Sequence, residues 1–492
     1  MGKQKPIFYN ALLLTGVNLL LRFAGTSFQV FLSGKIGAEG IGLLQLVLTV
    51  GSLAMTFGMG GIRTATMYLC AEVVGRKKQD QMVWILSGCI KYSLFLSVGV
   101  GVILYILAPK IATLWIGHQE TVAAIRLLAA FLPVNCLCGV LVGHFTGINR
   151  IGTLAAVEVM EQIFSMLLTI FLLSFWAGHD SAKACLCVIL GSGMGACFTV
   201  FCLLLIKKVA KPAVGTKLSI WGKLWQTAVP LAVADNVKAG ISATENLMVP
   251  KRLALYPRES NPLASFGMVC GMVFPVLMFP IAILSGLAEL LIPELARCNA
   301  AGSKERIRHL TQRSFLLALI YGAFCGGILF IKADFLCLRL YKTPEAGTYL
   351  QYFAFLTPML YCDAIVDAMT KGLGQQKICV RYNIITSAMD VALLFILLPK
   401  YGIQGYYFSF LVTHLINFIL SLRLLMNLVG NIASLRTGIY TFAAAGSGII
   451  AGLFLPLRFQ ITGFILAFCA TVMLLGVVKR EDVLWLKGLI IA

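Results

Sequence analysis

Apolar residues in this chain run in long blocks of about 18–30, each enough to cross a hydrocarbon core of ~30 Å as a helix. The two-residue alternation that a membrane barrel needs is absent. Inside a bilayer every backbone N–H and C=O must be satisfied within its own segment, so the pattern predicts helices. The expected spans are 9–33, 41–70, 83–107, 121–148, 153–176, 182–206, 222–247, 263–293, 309–331, 347–372, 379–398, 403–426, 436–457 and 461–478. The chain is expected to be an all-α integral membrane protein with about 14 transmembrane helices. Its longest loops, near 207–221 and 250–262, leave no room for a soluble catalytic domain. An enzyme is therefore not expected.

The pattern also repeats. Phe131-Leu132-Pro133 is followed by Gly147 and Asn149-Arg150, and Phe355-Leu356-Thr357-Pro358 by Gly372 and Gln375-Gln376-Lys377, at an offset of 225 residues. The same offset sets Ala71, ahead of Gly75-Arg76-Lys77-Lys78, on Ala296, ahead of Gly302-Ser303-Lys304. Spans 1–6 and 7–12 thus look like two copies of a six-helix unit. An even number of spans inserts both copies the same way, which makes them a parallel pseudo-repeat around an axis along the membrane normal, with a central cleft. The expected organisation is an N-terminal lobe at 1–206, a basic cytoplasmic linker at 207–221, a C-terminal six-helix lobe at 222–428, and an extra two-helix transmembrane hairpin with a cytoplasmic tail at 429–492.

Composition sharpens this picture. The sequence is 59% hydrophobic and only 12% charged, too little charge for a surface that faces water. The net charge of +20 suggests nucleic acid until the cations are placed. With both termini cytoplasmic, more than half of the Lys and Arg fall in cytoplasmic loops, which is the positive-inside bias. Clusters such as Arg76-Lys77-Lys78, Lys207 to Lys223 and Lys304 to Arg313 are expected to meet anionic phospholipids at the cytoplasmic face. No aromatic platform accompanies them, so nucleic acid is not an expected partner. The first apolar run is too long for a signal peptide, and Arg22 interrupts it, so it is expected to be a retained helix. The 15 cysteines, including the pairs Cys136/Cys138 and Cys185/Cys187, lack His or carboxylate partners at ligand spacing, and no metal site is expected.

Ionisable groups at bilayer depth cost roughly 2.5–3.5 kcal/mol each even on lenient scales, which makes them functional candidates. Arg22 and Lys238 lie in mid-span on the first helices of the two copies, placed to clamp an anionic head group such as a pyrophosphate. Their alternative is pairing with buried carboxylates, and Asp235 stands one turn before Lys238. Arg63 lies beside the glycines Gly58, Gly60 and Gly61 in span 2, where a backbone or ligand can approach closely, and is a substrate or gate residue or else half of a helix-packing ion pair. Glu158 and Glu161 suit a helix N-terminus. Asp363, Asp367 and Lys371 form a stripe, either a salt-bridge ladder or a coupling-ion site. Glu245, Glu289 and Asp390 are further gating or ion-coupling candidates. Pro230, Pro275, Pro280 and Pro293 mark bending points in spans 7 and 8. No phosphate loop of the G-x-x-x-x-G-K-[ST] type exists, so ATP hydrolysis is not expected to drive transport. Na⁺ or H⁺ is the expected coupling ion if one is used; no cofactor is expected.

Several segments resemble a known family. They are Ile36-Gly37-Ala38 with Gly40-Ile41-Gly42, Val249-Pro250-Lys251-Arg252-Leu253, and Phe266-Gly267-Met268 through Cys270-Gly271-Met272-Val273-Phe274-Pro275 with Phe279-Pro280 and Leu291-Ile292-Pro293-Glu294. Gly372-Leu373-Gly374-Gln375-Gln376 and Gly402-Ile403-Gln404-Gly405-Tyr406 belong with them. In order and spacing they are similar to stage V sporulation protein B-like transporters of the multidrug/oligosaccharidyl-lipid/polysaccharide (MOP) exporter superfamily, related to lipid II flippases. The resemblance implies a fourteen-helix flippase that moves undecaprenyl-pyrophosphate-linked glycans to the outer leaflet of a bacterial cytoplasmic membrane for cell-wall, spore-cortex or polysaccharide assembly, with cell-wall synthesis proteins as further partners. It implies central arginines at the pyrophosphate, for which Arg22 and Arg63 are candidates. Ile62-Arg63-Thr64-Ala65-Thr66 departs from the family's usual small residues before a Ser-Arg. A cation-coupled multidrug exporter is the alternative within the superfamily; a membrane-embedded transferase or a cell-wall scaffold is the alternative outside it.

Overall fold

The structure, a computed structural model, describes residues 5–76, 81–178, 180–206, 221–432 and 434–478. Lys77, Lys78 and most of the expected basic linker lie outside the described residues. Among the described residues every regular element is helical. Two compact units emerge, Met1–Gly267 with Leu394–Gly402, and Met268–Leu393 with Ile403–Ala492.

The first unit holds α1 (Lys5–Met59), α2 (Ile62–Gly75), α3 (Met82–Lys110), α4 (Val122–Gly147), α5 (Ile151–Leu172), α6 (Ser181–Ile206) and α7 (Trp221–Leu253). α7 packs against α1 and α2, so compactness divides the chain at a different place from the sequence repeat. The short helix α8 (Pro262–Met268) leads through a π-helical turn into the second unit. There follow α9 (Phe274–Met278), α10 (Ile281–Ala300), α11 (Lys304–Tyr341), α12 (Glu345–Ala354), α13 (Thr357–Gly372), α14 (Gln376–Tyr401), α15 (Ile403–Val429), α16 (Leu435–Leu453) and α17 (Gln460–Leu474).

Among the described residues, eight helices are long and apolar enough to cross a membrane, or up to 10 if each strongly bent pair is one span. This does not confirm the expected count of fourteen. Residues Leu19–Gly75, where two spans were expected, count as one candidate although Gly37 and Gly60-Gly61 break the run. α17 has only 15 residues, and the ionisable residues of α7 dilute its hydropathy.

Helix breaks in the two units have different causes. In the first, Gly37 (φ 69°) interrupts α1, and Gly60 and Gly61 (φ 46° and 71°) separate α1 from α2. Positive φ is strained for any residue with a Cβ, so glycine sets these positions. The hydroxyl of Tyr92 donates to the Gly60 carbonyl at 3.2 Å, satisfying an acceptor at the break. In the second unit, Phe279-Pro280 bends the chain by 61° before α10, and Pro358 opens α13 after a 53° bend. Here too tyrosines supply donors: Tyr361 to the Leu277 carbonyl and Tyr321 to that of Pro280, both at 2.9 Å. Pro230 and Pro293, by contrast, lie inside continuous helices.

The 225-residue offset has a geometric counterpart. Gly147 at the end of α4 lies so close to α2 that a Cβ would come within 2.7 Å of the Met67 carbonyl oxygen and 2.8 Å of the Cys70 Cβ. Gly372 at the end of α13 stands in the same relation to α10, at 2.9 Å from the Ile292 oxygen and 3.1 Å from the Leu295 Cβ. Every partner is displaced by the same offset, so the two copies share a helix-packing register that only a missing side chain permits.

The segment Val249-Pro250-Lys251-Arg252-Leu253 also finds a reason. Pro399 in α14 removes the N–H that would bond the Phe395 carbonyl. The guanidinium of Arg252 donates to that oxygen instead, at 2.8 and 3.2 Å, and lies 3.4 Å from the Phe395 ring centre. Lys251 donates to the carbonyl of Leu114, in a π-helical stretch.

Candidate functional site

Arg63 is the second residue of α2, directly after the glycine break. Its position is set from two sides. A Cβ on Gly61 would come within 2.5 Å of the Ala228 carbonyl oxygen in α7. On the other side Gly139, Gly143 and Gly147 form a G-x-x-x-G-x-x-x-G face on α4, and a Cβ on Gly143 would strike the Arg63 carbonyl. Close helix approach through small residues therefore fixes the backbone that carries the guanidinium, which is itself exposed. Arg63 interacts electrostatically with Glu158 on α5, and Glu161 lies beside Glu158. α5 has no acid in its first turn, so the expected helix N-terminus does not account for these glutamates. For Glu158 the Arg63 guanidinium does.

Arg22 lies on α1 between the chain start and the Gly37 break, and its side chain is exposed. Lys238 and Asp235, both on α7, are exposed as well. The pairing allowed between them is not seen: no ion pair joins them among the described residues. The first unit thus presents Arg22, Arg63 and Lys238 on α1, α2 and α7, the last of which packs against the other two. A charge exposed at span depth is tolerable where it meets water, a polar ligand or another polar group, because hydrocarbon offers it nothing.

The acidic candidates are arranged otherwise. Asp390 on α14 is buried, and one carboxylate oxygen accepts hydrogen bonds from the hydroxyls of Ser409 (2.5 Å) and Thr413 (3.1 Å) on α15. Asp363 on α13 accepts a bond from the Asn417 amide at 3.3 Å, while its other oxygen and the Asn417 amide oxygen are buried without partners. Asp367 and Lys371 pair at 2.5 Å, while Asp363 is bonded to Asn417 instead. Glu245 is half-buried on α7, and Glu289 is exposed on α10. The structure does not gather Glu245, Glu289 and Asp390 into one site within either unit.

Sequence reasoning missed the α15 partners. Ser409, Thr413 and Asn417 recur every four residues, a polar stripe on an apolar helix that periodicity alone reveals. It also missed the α4 glycine face, which the motif spacing carries. An apolar cavity of about 790 Å³ in the second unit is lined by Phe315, Leu319, Met359, Phe418 and Phe442 among others.

Comparison with known proteins agrees with this architecture. The MatE family model matches residues 253–396. Stage V sporulation protein B of Bacillus subtilis (strain 168) is 21% identical over 417 residues, covering 82% of this chain and 80% of that protein. Among solved structures, lipid II flippase MurJ in an inward closed conformation has a TM-score of 0.68 at 12% identity, over 96% of this chain and 99% of that one. A multidrug resistance MATE family transporter of the MOP superfamily, in an inward-facing conformation, has a TM-score of 0.68 at 14% identity, over 84% and 98%. The chain is thus a homologue of stage V sporulation protein B with a MatE match at residues 253–396, and it has the fold of membrane transporters of the MOP superfamily.

Proposed function

We propose that this transporter flips an undecaprenyl-pyrophosphate-linked oligosaccharide or peptidoglycan precursor across the bacterial cytoplasmic membrane by alternating access, for cell-wall, spore-cortex or polysaccharide assembly. The observation that carries the reading is the set of exposed cations Arg22, Arg63 and Lys238 on packed helices of one unit. A pyrophosphate is the kind of polyanion such cations bind, with charge-assisted hydrogen bonds roughly twice as strong as neutral ones. The relatives named for sporulation and for lipid II flipping support the same substrate class. On this reading both termini are cytoplasmic, so that the basic clusters meet anionic lipids.

The head group must favour the occluded form over the open one, since a ligand shifts an equilibrium only through differential affinity. Membrane potential acts on the polyanion at about 2.3 kcal/mol per charge per 100 mV. Na⁺ or H⁺ coupling through Asp235, Glu245, Asp363 or Asp390 is the other source of drive. The carboxylates held inside the second unit also favour a second reading, cation-coupled drug export.

The test is flipping of a fluorescent undecaprenyl-pyrophosphate-linked sugar in proteoliposomes by the wild type, Arg22→Ala and Lys238→Ala. Flipping that collapses in folded variants is the expected result. Wild type that flips nothing under any imposed gradient or potential, yet moves cationic drugs, overturns the proposal in favour of the second reading.

A further inference from the structure

The second unit contains a cation that neither the flippase reading nor its ion coupling uses. Lys332 on α11 is only 6% exposed. Its ammonium donates to the carbonyl of Leu457 at 2.6 Å and to Oε1 of Gln460 at 2.8 Å, and stands 5.6 Å from the Phe335 ring centre. All these partners are neutral. Among the described residues no carboxylate pairs with it. An ammonium has three donors, so one N–H and the positive charge are left unmatched by the protein. Burying such a group is costly unless a counter-charge is present for at least part of the time.

A counter-charge has a place to sit. Lys332 opens onto a cavity of about 660 Å³, whose walls include Ile328, Phe335, Leu336 and Ile461 and whose rim carries a second cation, Arg458. Arg458 belongs to the connection between α16 and α17. A turn joining two apolar helices lies at the membrane–water interface, where lipid phosphates are found. Phe454 and Leu457, on the same connection, are 86% and 60% exposed. Apolar surface and two cations meet at head-group depth. An inorganic anion would leave the apolar walls unused, and a neutral lipid would leave the charge unmatched.

We infer that this cavity binds the phosphate of an anionic membrane phospholipid, with Lys332 and Arg458 on the phosphate and Ile328, Phe335 and Ile461 along the first methylenes of its chains. The site ties the C-terminal hairpin to α11 through a lipid. It lies wholly within the second unit and is independent of what the transporter carries.

The experiment measures lipid retention by the purified full chain in native mass spectrometry, with phosphatidylglycerol, phosphatidylcholine and inorganic phosphate each offered in turn. Wild type is expected to retain phosphatidylglycerol in preference to phosphatidylcholine, and phosphate is expected not to displace it at equal concentration. Arg458→Gln is expected to weaken retention about fivefold, the effect of one interfacial cation of ~1 kcal/mol, and Lys332→Gln more strongly. Should Lys332→Gln fail to fold, the exposed Arg458→Gln carries the test alone. Equal retention of both lipids, or unchanged retention in Arg458→Gln, overturns the inference. Displacement by phosphate at equal concentration also overturns it, since the apolar walls would then contribute nothing.

Discussion

The two units build the same packing register from repeated sequence, yet spend it differently. In the first, Gly147 lets α4 close on α2, and the helix so held displays Arg63 beside the glycine break. In the second, Gly372 lets α13 close on α10, and on α13 Asp363 meets Asn417 of α15 while Asp367 pairs with Lys371 along the helix. One unit shows Arg22, Arg63 and Lys238 to its surroundings; the other engages Asp363, Asp367 and Asp390 in hydrogen bonds or an ion pair. Their breaks differ in kind as well. Positive-φ glycines can be crossed by a neighbouring helix, as α7 crosses at Gly61, whereas prolines impose a bend that tyrosine hydroxyls then satisfy. A duplicated scaffold can therefore be conserved in packing while its two copies diverge in electrostatics.

The strongest way to break this contrast is to remove the displayed charge. Arg63→Ala is expected to lower flipping of the pyrophosphate-linked probe about 10–100-fold, the effect of losing a charged hydrogen bond of roughly 1.5–3 kcal/mol, with an unchanged melting temperature. A loss of fold with the activity would instead make Arg63 a structural partner of Glu158.

Changing the shared register is the next test. Gly143→Val drives a side chain into the Arg63 carbonyl and is expected to destabilise the first unit by about 1–3 kcal/mol, read by thermal unfolding in detergent. Arg252→Gln is expected to cost about 1–3 kcal/mol by leaving the Phe395 carbonyl unsatisfied. Adding Pro399→Ala, which restores the helical N–H, should recover most of that loss; independent, additive effects of the two changes would refute the link.

The second unit should respond less to loss of charge. Asp390→Asn keeps an acceptor for Ser409 and Thr413, so melting is expected to shift by about 1 kcal/mol or less. Any dependence of transport on Na⁺ should vanish with it if this carboxylate couples the ion. The smallest effect is expected at Asp180, before α6, whose carboxyl is held below the usual range by backbone N–H groups of Lys183 and Ala182. The stability it lends is present above the unfolded carboxylate pKa and is lost as pH falls through the lowered one. Asp180→Ala should flatten the acid limb of a melting-temperature profile slightly.

Long apolar blocks determined by themselves that this chain is helical and membrane-spanning, because hydrocarbon allows a lone segment no other way to satisfy its backbone. The repeat was legible for the same reason: Gly147 and Gly372 sit at one offset because each must lack a side chain against its neighbour. The MOP resemblance was legible in segments such as Val249 to Leu253, whose cations serve backbone carbonyls. What sequence could not decide was which charges are met. Asp235 and Lys238 share a helix spacing that suits a pair, yet both project outward; Asp390 looked solitary, yet α15 brings it two hydroxyls. Spacing along a helix is local and fixed by the 1.5 Å rise, whereas the partner of a buried charge comes from another helix and exists only after packing.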